Sequence, residues 1–500
     1  MYTSRVWLAG ALFLTLAVQA RLLPSYFCGY DDFTNAERAV FEDRQTPNRM
    51  ITTSHFGSPK YRPVSRIVTY LCQVLTPVPV WMHRLRNLVF HLMAVWLTFA
   101  LAVELGAAAE VAGSAAALFG VHPLAHQTLS AAIFTIDFAY ALMLLALWMF
   151  IKAYRSPNRG GMILMASSVV MFLSLFTYES TIICYGCFAV YMGIQWYRRQ
   201  PPAMGWGRWL AISLATSFVP ALILLITRRL FAVGSMPITP PGKILFNLVL
   251  YAGSLGLPVD LLLLNAWFDT PMPNELVNSK KLLLGIGAVL LAMVGAAFAN
   301  AWRLPAFRER WRAIPWLQIL FLLTGIFLSW LPFAVFTDHP SETYQYLPAA
   351  FYSIAASMFI AGLLGTGWRF RATFGVLILF AAMASWVRTD LVQTCAATAE
   401  RIIRELPLAQ WRQGAPWVRM AHSVETLPAN RFGLYAYYGL STISPGLGEE
   451  GPLQDALRLE TGNEHLRAGI YSAWDLARIC QPGDPCYLVE MDGHVTPFPR

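Results

Sequence analysis

The sequence predicts an all-α polytopic membrane protein, and three observations predict it. The chain is 56% apolar and only 13% charged, whereas soluble domains carry about 25% charged residues. It holds 17 Trp, 31 Phe and 20 Tyr. Apolar blocks close to the length that crosses roughly 30 Å of hydrocarbon recur along it. The net charge of +9 is scattered through loops, with no basic domain to follow a phosphate backbone, so a nucleic-acid partner is excluded.

Eleven spans are legible: 6–23, 85–104, 106–121, 133–151, 162–176, 181–196, 209–226, 282–299, 316–333, 347–364 and 372–387. The first follows a lone Arg5 and lacks a small-residue cleavage site, so it reads as a retained helix. Lys and Arg accumulate in short cytoplasmic loops. With the N-terminus inside, four basic loops fall there: Lys152, Arg155 and Arg159; Arg198, Arg199 and Arg208; Arg303, Arg308, Arg310 and Arg312; Arg369 and Arg371. Block 244–264 is long enough to cross but holds Gly253, Gly256 and Pro258. A single crossing there would put the 303–312 loop outside, so it reads as a broken, re-entrant or interfacial helix, buried by protein where its backbone is unpaired. A further span near 229–243 raises the total to as many as thirteen. The chain thus divides into a membrane module 1–227 with a first external loop 24–82, a second membrane module 228–387, and an external region 388–500. That last region suits a small helical domain with a weak apolar core pattern. Cys480 and Cys486 within it could pair in an oxidising compartment; the other five cysteines read as apolar filler.

An ion inside lipid is expensive and usually kept for function. The chemistry-bearing residues gather at the outer face. Asp31 and Asp32 come just after the first span, followed by Tyr61, Arg62 and Arg66. His83, Arg84, Arg86 and Asn87 mark the start of the second span. His122 and His126 end the third, Asp137 lies one turn into the fourth, and Glu179 caps the fifth. Arg228 and Arg229 end the seventh against the charge rule. Asp338, His339, Glu342 and Tyr344 lie between the ninth and tenth. Carboxylates mixed with guanidinium groups at headgroup depth suit a reaction in which a carboxylate takes a proton while cations hold a phosphate. The plainer account is helix capping and interfacial anchoring. Metal binding is the weaker idea. Pro123 separates His122 from His126 and no third ligand is evident, although Asp31, Asp32 and Asp137 could meet a divalent cation through oxygen. No Gly-rich phosphate loop, nucleophile elbow or HExxH run is present.

Six short motifs resemble those of GT-C superfamily membrane glycosyltransferases, nearest in look to protein O-mannosyltransferases and transmembrane-TPR mannosyltransferases. They are Asp31-Asp32 after the first span, Tyr61-Arg62-Pro63-Val64, Asn87-Leu88-Val89-Phe90-His91, Ala117-Leu118-Phe119-Gly120-Val121-His122-Pro123, Tyr178-Glu179, and Glu342-Thr343-Tyr344-Gln345-Tyr346-Leu347-Pro348. The resemblance covers roughly residues 1–390. The chain departs from it at Gln127, where relatives often have Glu, and at Thr135 and Thr343, where they have Arg. No TPR array follows, which puts a protein acceptor in doubt.

The resemblance implies a GT-C fold and inverting transfer of a sugar from a polyprenyl-phosphate donor to a lipid, glycan or protein acceptor, with no cofactor required and a divalent cation not expected. It implies Asp31 as base and Asp32 as its orienting neighbour. Arg62, Arg228 and Arg229 are candidates for the donor phosphate. Tyr61, Arg66, Arg86, His122, Asp137, Glu179, Glu342 and Tyr344 are substrate-site candidates. The layout suggests a bacterial inner membrane with the site facing the periplasm. An undecaprenyl-diphosphate glycan ligase or polymerase also fits. A multi-span transporter fits less well, because the ionisable groups cluster at one face and no internal repeat is visible. A non-catalytic scaffold is the remaining class.

Overall fold

The computed structural model describes residues 2–499 except 28–29, 55–59, 76–78, 232–237, 257–298, 337–341, 423–447, 450 and 491–492. Its membrane part is built from α1 (Tyr2–Gln19), α2 (Tyr30–Arg38), α3 (Pro63–Val74), α4 (Pro79–Glu104), α5 (Ala109–Gly120), α6 (Ile136–Arg155), α7 (Gly160–Thr177), α8 (Ile183–Tyr197), α9 (Trp206–Phe231), α10 (Pro241–Gly256), α11 (Trp316–Phe336), α12 (Tyr346–Leu364) and α13 (Trp368–Glu405). Among the described residues, eight helices are long and apolar enough to cross a membrane. The polytopic, mostly helical architecture therefore stands.

The spans differ from expectation in instructive ways. Predicted span 106–121 is the 12-residue helix α5, and 181–196 is the 15-residue α8. Both are shorter than a free-standing span needs. Helix α5 is buried from Val111 to Gly120, packed by α1, α4 and α12, so protein rather than lipid surrounds it. Its small residues permit this: a Cβ at Gly120 would lie 1.9 Å from Thr15 Oγ1, and one at Gly113 would lie 2.6 Å from Trp7 Cβ. Such close approach of backbones is how helices associate where lipid offers no hydrophobic drive. The block 244–264 begins as an unbroken helix that runs through Gly253 and ends at Gly256, packed on α11. Its remainder and the predicted span 282–299 fall outside the described residues, apart from Ala299.

Helix α13 also departs from the prediction. It continues for 38 residues through the expected boundary at 387/388, about 57 Å at 1.5 Å per residue. Its second half carries Arg388, Asp390, Glu400, Arg401, Arg404 and Glu405. It thus leaves the apolar layer as a rigid stalk bearing the C-terminal region.

That region is not helical, as the sequence suggested, but mixed. Strands β1 (Trp417–His422), β2 (Gly448–Glu449), β3 (Arg467–Tyr471), β4 (Cys486–Val489) and β5 (Val495–Pro497) form one sheet in the order β2-β3-β1-β4-β5. The pairs β1–β3 and β1–β4 are parallel; β2–β3 and β4–β5 are antiparallel. Helix α14 (Pro452–Thr461) packs on β3. The Cys480–Cys486 disulfide is present, joining a short helix to β4. Val418, Leu453, Leu457, Leu466 and Ala468 of this core are continuous with Phe27, Phe33, Ala36 and Ile133 of the membrane part. The C-terminal domain and α2 therefore share one core.

Two of the basic loops lie close together. Arg155 pairs with Glu104 at 3.2 Å, and Arg371 pairs with Glu110 at 2.6 Å. Glu104 and Glu110 flank the α4–α5 turn, so the loops after α6 and α12 lie at one end of the bundle.

Candidate active site

The opposite end is organised by backbone carbonyls that buried guanidinium groups tie down. Arg86 donates to Ala132 O (2.8 Å), Phe134 O (2.7 Å) and Asn87 Oδ1 (2.6 Å). Arg84 donates to Ser130 O (2.5 Å) and Tyr26 O (2.8 Å). Together they fix the 130–134 turn before α6 and the chain leaving α1. From that turn the Ile133 backbone N–H donates to Asp32 Oδ1 at 3.0 Å. Asp32 is fully buried. It sits in the first turn of α2, where a carboxylate complements the helix dipole. Phe33, next to it, packs edge-on against Phe27. The side chains of Asp31 and Glu342, both predicted site groups, lie outside the described residues.

The loop between α2 and α3 is a second knot. Arg66 pairs with Asp43 in a buried ion pair and donates to Arg49 O (2.9 Å), Thr53 Oγ1 (2.7 Å) and Ser54 O (3.1 Å). Burial pushes the Asp43 carboxyl up, against the pull of Arg66. Tyr61 is buried, donates its hydroxyl to Ile51 O (2.6 Å) and stacks on Phe231. Arg66, Arg86 and Tyr61, all substrate-site candidates, thus each bond to backbone carbonyls of these loops.

Arg62 sits at the N-terminal boundary of α3, ahead of Pro63 at the first helical position. Its Nε and Nη2 donate to Glu179 Oε2 and Oε1 at 2.6 and 2.9 Å. Its guanidinium lies 4.0 Å from the Tyr178 ring centroid. Burial alone would raise the Glu179 carboxyl, but Arg62 outweighs it and holds Glu179 below the usual range. Arg62, expected to meet a donor phosphate, already has a bidentate carboxylate partner, so any phosphate would share it through the remaining N–H groups. Tyr344 stacks on Phe333 at 3.9 Å and feels the charge of Arg62. Arg228 is half-buried and Arg229 exposed in the last turn of α9. The stacking of Phe231 on Tyr61 brings that turn beside the Arg62 loop.

Asp137 follows in the first turn of α6. It is fully buried, and neither carboxylate oxygen makes a hydrogen bond of normal geometry. Arg86 is close enough to act on it electrostatically, and it acts in turn on Cys72 and Tyr346. His122 caps the turn after α5, its Nδ1 accepting from the Leu124 N–H at 3.3 Å. From α13, Ser385 donates to Val121 O (2.7 Å) and Arg388 to Pro123 O (3.0 Å). Among the described residues no three His, Cys, Asp or Glu side chains form a metal cluster; the set Asp31, Asp32 and Asp137 includes one side chain not described.

Two motifs far apart in sequence meet at His91. Its Nδ1 bonds the Tyr346 hydroxyl at 2.8 Å, and its Nε2 bonds Gly120 O at 3.0 Å. Phe119 packs edge-on against Tyr346.

Sequence reasoning did not find the contribution of the C-terminal domain. Thr34 donates to Asp455 Oδ2 at 2.6 Å, and Arg458 pairs with Glu37 at 3.2 Å. Tyr26 donates to Glu460. Burial raises the Glu37 carboxyl, the Asp455 charge adds to that, and Arg458 opposes it. The face of α2 that carries Phe33 and Glu37 is therefore gripped by α14. No local signal marks Asp455 or Arg458 in the sequence; both look like ordinary charges of a polar helix.

No protein-family model matches the chain, and no curated protein does. Among solved structures it is similar to the Archaeoglobus fulgidus oligosaccharyltransferase crystallised with a tethered acceptor peptide containing the NVT sequon. That match has 12% identity and a TM-score of 0.45 over 88% of this chain. The chain spans 63% of that protein's length. It is also similar to ArnT from Cupriavidus metallidurans in the apo state, at 15% identity and a TM-score of 0.38, over 97% of this chain and 92% of that one. The same ArnT bound to undecaprenyl phosphate matches at 15% identity and a TM-score of 0.37, with the same coverage. Likenesses this distant leave the chemistry to be read from the residues of this chain.

Proposed function

We propose that this chain is an inverting membrane glycosyltransferase of GT-C type, moving a hexosyl or pentosyl unit from a polyprenyl-phosphate donor to a lipid, glycan or protein acceptor. We place the reaction at the outer face of a bacterial inner membrane. One observation carries the reading: motifs dispersed from residue 32 to residue 346 converge at one end of the bundle. Asp32 is bonded to the turn that Arg86 and Asn87 hold. Arg62 is paired with Glu179, Tyr344 is within electrostatic reach of that pair, and His91 is bonded to Tyr346 and Gly120. Simple helix capping needs no such convergence.

In this reading the Asp31 carboxylate accepts the acceptor's hydroxyl proton as that oxygen attacks the anomeric carbon. The bond from that carbon to the phosphate oxygen breaks, and polyprenyl phosphate departs with the electron pair. Asp32, held by the Ile133 amide, fixes the start of α2 and so the position of its neighbour. Negative charge from the two carboxylates favours the oxocarbenium character of the transition state. Arg62, shared with Glu179, and Arg228 or Arg229 offset the charge that grows on the leaving phosphate.

The test is to incubate the purified full chain in lipid nanodiscs with a panel of polyprenyl-phosphate sugars and candidate acceptors, and to measure donor consumption. Asp31→Asn should lower turnover by about 10²- to 10⁴-fold while donor binding persists, because an amide matches the carboxylate in shape but takes no proton. Full activity of that variant would return Asp31 to a capping role.

A further inference from the structure

The helix Pro305–Ala313, in the link between α10 and α11, has no buried residue. The stretch from residue 299 to 315 holds Arg303, Arg308, Arg310 and Arg312 against a single carboxylate, Glu309. All four arginines are exposed. Arg310 donates to Leu363 O at 3.1 Å, at the end of α12. Just beyond the helix, Gln318 Oε1 in the first turn of α11 accepts from Arg198 at 2.9 Å. The helix therefore lies at the end of the bundle where Arg155 meets Glu104 and Arg371 meets Glu110, away from the candidate active site.

The charges at that end are not treated alike. Arg155 and Arg371 have carboxylate partners, whereas among the described residues Arg303, Arg308 and Arg312 make no ion pair. Arg308 and Arg312 are four apart, so they share one helix face, and like charges so placed repel. An anion from outside the chain would offset that repulsion. The adjoining face carries Phe307 and Trp311, also four apart. Trp311 packs on Trp302 (5.8 Å), Trp316 (4.7 Å) and Phe359 (5.9 Å), which clamps the helix to α11 and α12. Trp302, Leu304 and Trp316 nonetheless remain 43%, 59% and 38% exposed.

A basic face beside an aromatic one is the pattern of a helix lying in the membrane interface, and Trp is enriched where hydrocarbon meets headgroups. The arginines alone would suit an acidic protein segment. The exposed Trp and Leu side chains beside them suit acyl carbons just beneath a charged headgroup, which an acidic segment lacks.

We infer that the helix Pro305–Ala313 and Arg303 before it bind anionic phospholipid headgroups of the leaflet at that end. Arg303, Arg308 and Arg312 meet the phosphates, while Trp302, Leu304 and Trp316 settle among the first acyl carbons. The surface is separate from the proposed transfer chemistry and does not depend on it.

The experiment uses the full chain and two phospholipids, phosphatidylglycerol and phosphatidylcholine. Native mass spectrometry of the detergent-solubilised protein reads how tightly each is retained. Arg303→Gln/Arg308→Gln/Arg312→Gln removes the three charges, and the same three positions changed to Lys keep them. Arg412→Gln/Arg467→Gln/Arg478→Gln removes as much charge from exposed positions of the C-terminal domain. We expect the wild type, the Lys variant and the C-terminal variant to prefer phosphatidylglycerol. The first Gln variant should bind it at least about 5-fold more weakly, the effect of about one Lys or Arg near an anionic surface. The preference should shrink as salt rises from low to molar ionic strength. Hydrogen exchange at the amides of residues 303–314 gives a test that needs no variant: it should be slower in nanodiscs containing phosphatidylglycerol than in phosphatidylcholine alone.

Equal retention of the two lipids by the wild type, or a preference that survives the Gln substitutions at 303, 308 and 312, would overturn the inference. Loss of the preference in the C-terminal variant would reduce it to net charge and overturn it too. Exchange that does not respond to the lipid would do the same. Binding of a poly-glutamate peptide to this helix in phosphatidylglycerol nanodiscs would show the arginines free of lipid and assign the surface to an acidic protein instead.

Discussion

Glu179→Gln isolates the ion pair that joins the start of α3 to the end of α7. Arg62 and Glu179 are 13% and 16% exposed and share two hydrogen bonds of 2.6 and 2.9 Å. Gln keeps the shape and one acceptor oxygen but removes the charge, leaving a guanidinium over Tyr178 with no counter-ion. Removing one partner of a buried pair costs about 3–5 kcal/mol, and exposed pairs are worth about 0.2–1 kcal/mol. At this partial burial we expect a loss of about 2–4 kcal/mol, most of it the penalty of an orphaned charge rather than the net worth of the pair. Arg62→Met in the same chain should therefore recover about 1 kcal/mol or more, because no buried charge then remains. Thermal melting of the four proteins of this cycle in nanodiscs, at one scan rate, measures the coupling.

The pH dependence has a definite sign. Glu179 is depressed in the folded chain, so its contribution is fully present above the ordinary Glu value of about 4.3 and is lost as pH falls through the lower folded value. The wild type should lose stability relative to Glu179→Gln only in that acid range. A variant that melts within about 0.5 kcal/mol of wild type at neutral pH, or strictly additive single effects, would refute the coupling.

Asp32→Asn still accepts from the Ile133 amide, so it should fold normally and lose less turnover than Asp31→Asn; equal losses in the donor-consumption assay would make Asp32 more than a positioning residue. Arg458→Ala removes the partner of Glu37 and a bond to Leu466 O, and should speed hydrogen exchange at the amides of residues 30–38 by at least about 5-fold, equivalent to roughly 1 kcal/mol; unchanged exchange would mean that α14 does not hold α2. Gly120→Ala forces a methyl group into Thr15 Oγ1 and should cost about 1–3 kcal/mol by overpacking, with partial rescue by Thr15→Ala; a neutral melt would show that α1 and α5 separate easily.

Hydropathy alone determined the class of this chain, most of its helices and the separation of its two ends. Those properties follow from the bulk cost of placing charge or backbone in hydrocarbon, which depends on composition over windows of about 20 residues. The same measure could not tell lipid from protein as the surroundings of a helix, so α5, a short helix wrapped by its neighbours, looked like a span. It could not see α13 either: past residue 387 the helix persists on its backbone hydrogen bonds after its side chains have turned polar. The strands of the C-terminal domain run only two to six residues, too short for alternation to stand out, so a sheet passed for a helical tail. The motifs marked which residues belong together, and Asp32, Arg62, Glu179, His91 and Tyr346 do gather at one end. Only the tertiary structure decided what each one does there. A guanidinium reads the same in sequence whether it faces a phosphate, as Arg62 was expected to, a carboxylate, as Arg66 meets Asp43, or the carbonyls of a turn, as Arg86 meets Ala132 and Phe134. That choice is made by contacts tens to hundreds of residues away, as is the grip of Asp455 and Arg458 on α2 across more than 400 positions.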